Sequence, residues 1–175
     1  MRRHMTEKLI APGAALMLLA CALGGCGYSL EPLHPTDVKT VAVPMWQRGS
    51  EVYRREIEMR LTEALVKEIE LATRYKVVSR AKAQTELTGS IDRIEQRVLT
   101  FDPDTGMPRE LEMTVFVTFQ WKDLRKGTVL VERSNFSTAG TYITGAPFNR
   151  DFFQGSEDVL NKLARRIVQQ METSW

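Results

Sequence analysis

From Leu111 to Trp121 apolar and polar residues take turns: Leu111, Met113, Val115, Val117, Phe119 and Trp121 alternate with Glu112, Thr114, Thr118 and Gln120. A period of two predicts a strand with one dry face, and so a sheet that is covered on one side only. Phe116 alone breaks the polar set. Turn chemistry brackets the strand. Asp102-Pro103-Asp104-Thr105-Gly106 predicts a chain reversal before it, and Lys122 to Gly127 predicts another after it, with Gly127 available for positive φ. Val129 to about Tyr142 then returns as a partner strand. Upstream, Leu87, Gly89 and Ile91 are in phase, whereas Ile94 and Val98 have slipped by one. A slip flips side chains to the other face unless an extra residue absorbs it, so a β-bulge is expected near Asp92-Arg93.

Two segments carry helical spacing instead. Ile57, Leu61, Ala64, Leu65, Ile69 and Ala72 predict a helix from about Ser50 to Thr73, with Ser50 as N-cap and Glu51 in the first turn. Leu160, Leu163, Ala164, Ile167, Val168 and Met171 predict a second from about Asn149 to Glu172, weakened in its first half by Gly155. Short β-branched runs at Val38–Val43, stopped by Pro44, and at Tyr75–Ser79 add two strands. The order β-α-β-β-β-β-α does not suit alternating parallel units. It predicts an α+β fold with two helices packed on one face of a mostly antiparallel four- to five-stranded sheet.

The N-terminus reads as a targeting segment. Arg2, Arg3 and Lys8 precede an apolar run from Leu9 to Leu23, and Leu23-Gly24-Gly25-Cys26 has the form of a lipobox. The run is shorter than the roughly 20 residues of a spanning helix, and Pro12 and Gly13 interrupt it. Expected boundaries are a signal peptide at 1–25, a lipidated N-terminus and tether at 26–37, and one domain at 38–175. Cys21 is a competing cleavage point, but Cys26 has the small Gly24-Gly25 pair in front of it. Acyl chains on Cys26 would anchor the protein, since each buried methylene contributes about 0.8 kcal/mol. At about 3.3 Å per residue the tether, with Pro32 and Pro35, reaches about 35 Å at most.

Charge and residue chemistry exclude several functions. Without residues 1–25 the chain keeps 21 basic and 21 acidic residues, so nucleic acid is not an expected partner. Cys21 leaves with the signal and Cys26 becomes a thioether, which removes disulfides and thiol nucleophiles. His34 stands alone in the tether. No glycine-rich phosphate loop or metal-ligand spacing occurs, so no catalytic residue, metal or cofactor is expected. The acid pairs Asp102 with Asp104 and Glu157 with Asp158 fall where a turn or a helix start favours acids anyway. Arg165-Arg166 reads as a solvated helix surface. Phe152 and Phe153 read as packing residues. Lys122, Arg125 and Lys126 crowd one turn of a neutral domain, and are candidates for contact with anionic lipid phosphate.

With these elements placed, the chain resembles the LptE family of lipopolysaccharide-assembly lipoproteins. The resemblance rests on Gly25-Cys26-Gly27-Tyr28, Val38-Lys39-Thr40-Val41-Ala42-Val43-Pro44, Leu61-Thr62-Glu63-Ala64-Leu65, Leu87-Thr88-Gly89-Ser90-Ile91 and Leu163-Ala164-Arg165-Arg166-Ile167-Val168, in that order. It implies a non-enzymatic outer-membrane lipoprotein, facing the periplasm, that partners and plugs the LptD β-barrel, helps it assemble and assists lipopolysaccharide transport to the outer leaflet. Gly27 is not the Asp that retains many lipoproteins at the inner membrane. Two other classes stay open. One is an envelope assembly or activator lipoprotein, similar to a curli-secretion pore subunit or a penicillin-binding-protein activator. The other is a lipid-anchored periplasmic enzyme.

Overall fold

Alternation over so many residues makes the strands long. A computed structural model describes residues 37–53, 56–143 and 149–172, with the backbone alone for 149–154; the lipobox, Cys26 and the tether before Asp37 lie outside the described residues. Three short strands, β1 (Thr40–Ala42), β2 (Gln47–Arg48) and β3 (Lys76–Val77), surround the first helix, α1 (Ile57–Ala72). A 3-10 turn at Arg80–Lys82 leads into the meander of β4 (Thr85–Phe101), β5 (Pro108–Asp123) and β6 (Val129–Ile143), and α2 (Asn149–Glu172) ends the chain. The sheet runs β3-β1-β4-β5-β6, with β2 added to β4. Pairing is antiparallel within the meander and parallel where β1 meets β3 and β4 and where β2 meets β4. The α+β expectation thus holds, with six strands.

Both helices lie on the odd-numbered face of β5. Met113, Val115, Val117, Phe119 and Trp121 are buried there against Leu61, Leu65 and Ile69 of α1 and Leu160, Leu163, Ile167 and Met171 of α2. Phe116 projects from the opposite face, where the Arg93 guanidinium covers its ring at 3.6 Å from the centroid. A cation over an aromatic face explains why an apolar residue sits among polar ones. The β4 register skips Asp92 between Ile91 and Arg93, so the bulge lies at the expected place. Asp92 accepts hydrogen bonds from the Ser90 and Thr118 hydroxyls, both at 2.8 Å.

Two expectations need correction, and a third needs an addition. Ser50 does not cap α1. The Gly49 N–H instead donates to the Ile91 carbonyl, the Val52 N–H folds back on Gly49, and Glu56, at φ 74°, leaves the helical region immediately before Ile57. The residues before α1 therefore form β2 and a turn on the edge of β4. Trp46 explains that strand: its ring packs so closely on Gly89 that a Cβ there would fall 2.7 Å from it, and it stacks near Phe119 at 6.5 Å. Gly155 also has a different meaning. Its missing Cβ lets α2 rest directly on Tyr142 of β6, as Gly140 admits Val159. Lastly, Arg166 is exposed, as expected of the helix surface, but its guanidinium also lies 4.7 Å from the Phe136 ring centroid and bonds to β6.

Candidate functional site

Asp123 is the last residue of β5, and it organises the turn that carries the candidate cations. Its side chain is only 3% exposed, yet it accepts the Arg125 and Lys126 backbone N–H groups at 2.8 and 3.1 Å and the Arg125 guanidinium at 3.0 Å. The Arg125 hydrogen bond, helped by those amides, holds the carboxyl down at about 2. The same guanidinium reaches Asp37 at 2.8 Å, and Lys126 Nζ lies 3.9 Å from that oxygen. Asp37 is lowered by the same partner, and Arg125 is raised by its two carboxylates. Gly127 adopts φ 71°, as the turn requires.

Arg125 and Lys126 are therefore brought together, and two aspartates balance them. Lys122 is set apart within β5, in register with Glu86, and among the described residues it makes no ion pair. The contact between Asp37 and Arg125 also holds the first described residue at the β5–β6 turn.

The opposite end of the sheet is a different surface. β4 and β5 continue their ladder to Phe101 and Pro108, past the cover of the helices, and from Glu95 onward every β4 residue is exposed. This forms an arm. At its end Phe101 is 62% exposed, Met107 54% and Ile143 70%, with Val98 and Leu99 beside them. Exposed apolar groups collected at one end of a protrusion mark a contact surface. The turn at the tip is well made: Asp102 accepts the Asp104 and Thr105 N–H groups at 3.1 and 2.9 Å. Polar pairs lie behind it, Arg97 with Glu112 at 2.9 Å among them. At about 3.3 Å per residue, β5 separates this apolar end from the β5–β6 turn that holds Asp37 by about 50 Å. The alternation argument passed over the arm end, although the off-phase pair Val98-Leu99 and the apolar residues flanking the Asp-Pro-Asp-Thr-Gly turn signalled it.

Among the described residues no group of acidic, His or Cys side chains could hold a metal, and no helix is long and apolar enough to cross a membrane. The sequence profile of the LptE lipopolysaccharide-assembly family matches residues 38–174. The chain belongs to the LptE family. Solved structures share the architecture. Rare lipoprotein B from Shewanella oneidensis superposes with a TM-score of 0.50 at 20% identity, covering 76% of this chain and 93% of that one. A protein from Xanthomonas campestris gives 0.56 at 12% identity over 77% and 84%, and a hypothetical protein from Chlamydia trachomatis gives 0.51 at 11% over 77% and 96%. At such identities the likeness concerns the fold. No curated protein sequence matches. Membership in the LptE family assigns the chain to lipopolysaccharide assembly, and the observed fold agrees with the resemblance drawn from the sequence.

Proposed function

We propose that this protein is a non-enzymatic outer-membrane lipoprotein, acylated at Cys26, that partners and plugs the LptD β-barrel and assists lipopolysaccharide transport to the outer leaflet. The observation that carries this reading is the apolar arm end, about 50 Å from Asp37, where the proposed tether would join the domain. A domain tied at one end to a bilayer and carrying exposed Phe101, Met107 and Ile143 at the other can extend into a barrel lumen and meet acyl chains there. Phosphate contact at the β5–β6 turn is a second part of the reading. It falls first to the Lys122 ammonium and then to Lys126, whose Nζ is only 3.9 Å from Asp37 at the limit of an ion pair, because Arg125 is held closely by Asp37 and Asp123. Affinity purification of the full chain from solubilised envelopes tests the partnership: a large outer-membrane β-barrel is expected to co-purify, and its absence would overturn the assignment. Cys26→Ser is expected to leave an unprocessed form, and intact mass showing acyl chains on Cys21 would move the anchor.

A further inference from the structure

β6 is a long open edge of the sheet: twelve of its fifteen residues pair with β5 on one side, and among the described residues no strand pairs with it on the other. Such an edge is a template for a further strand. Here it is covered by side chains of α2. Lys162 Nζ donates to the Ala139 carbonyl at 3.0 Å, Arg166 donates to the Ser137 carbonyl and to Thr138 Oγ1, and Gln170 Oε1 accepts from Arg133 at 3.1 Å. The spacing explains the match. Residues four apart on a helix rise about 6 Å, and residues two apart on a strand advance about 6.7 Å, so Lys162 and Arg166 keep step with the carbonyls of Ala139 and Ser137. Ser137 and Ala139 are half-buried beneath this row, whereas Thr141 and Ile143, which face the same way by alternation, are exposed.

We infer that Lys162 and Arg166 are a guard that keeps the β6 edge from pairing with the β6 edge of a second copy of this chain. A second copy is the fitting occupant, because an edge strand can pair with itself about a two-fold axis, each copy offering the same outward groups. The guard acts twice. It occupies the acceptors such pairing needs, and two copies brought edge to edge would force two pairs of cations into one seam.

The test is sedimentation of the purified full chain in detergent over a range of concentrations. The wild type is expected to stay monomeric. Lys162→Ala combined with Arg166→Met, which keeps an apolar stem over Phe136, should raise dimer association by about tenfold or more, since each uncovered carbonyl regains a hydrogen bond across the seam. Adding Thr141→Pro should return the monomer, because proline at an outward edge position blocks an added strand without breaking the β5 ladder. Should the double variant prove unstable by circular dichroism, Lys162→Ala alone is expected to dimerise by a smaller factor. Folded variants that remain monomeric, or a dimer that survives Thr141→Pro, would overturn the inference.

Discussion

Asp123 shows how much one carboxylate can hold. It satisfies two turn amides, fixes Arg125, and through Arg125 ties Asp37 at the start of the domain to a turn 88 residues later in the chain. The group is held at about 2 against an ordinary 3.8, so its contribution is complete above pH 3.8 and is lost as pH falls through about 2. Melting temperatures measured between pH 5 and pH 2 should fall in this window for the wild type, and Asp123→Asn should flatten the fall. An unchanged slope would mean that Asp123 is not the titrating group. Tyr75 provides the alkaline counterpart. Burial, with the charge of Glu172, pushes its hydroxyl up to about 12 from 10, so the neutral form is favoured and stability declines as pH rises through that interval. Tyr75→Phe should abolish this decline.

Among the elements, α2 and β6 give the sharpest test. In a free helix Gly155→Ala would be favourable by about 1 kcal/mol. Here the added Cβ would strike Tyr142 at its Cβ and Cγ, atoms close to the backbone that cannot swing away. The substitution is therefore expected to destabilise by about 1–3 kcal/mol. In a Tyr142→Gly background, which removes both atoms, the sign should reverse, and denaturant titration of the four proteins measures both effects. β5 gives a coarser test. Val117 is fully buried at the centre of the odd face, so Val117→Asp places an unpaired charge under both helices and should cost several kcal/mol, on the order of 3–5. A melting temperature unchanged by that substitution would contradict the burial of this face.

At the scale of the whole molecule, the two ends of the meander differ in chemistry. The end at the β5–β6 turn is polar, with two of its cations paired to aspartates; the arm end is apolar and exposed. Phe101→Glu with Met107→Glu should leave the melting temperature nearly unchanged, because both side chains are more than half exposed. Binding to lipopolysaccharide should nevertheless fall about tenfold or more, as the loss of two apolar contacts implies. Equal binding by the variant and the wild type would remove the arm end from the proposed function. Reversal of Lys122 and Lys126 to Glu makes the separate test for phosphate, and its effect should shrink in high salt.

The sequence by itself determined the meander, its two turns, the bulge at Asp92, the last helix and the family, because period-two patterning, turn residues and phase slips act over a few neighbouring residues. It determined only part of the first helix, since the choice between a cap at Ser50 and an added strand depends on the Ile91 carbonyl, which folding brings to Gly49. Lys122, Arg125 and Lys126 were legible as a cluster of cations, and Asp123 stands among them, but Asp37 was not legible as a partner, because it is remote in sequence and meets Arg125 only once β1 has joined the sheet. The sense of Gly155, the guard over β6 and the exposed arm end were likewise tertiary decisions. Each depends on which surface a neighbouring element covers, and local pattern carries no information about cover.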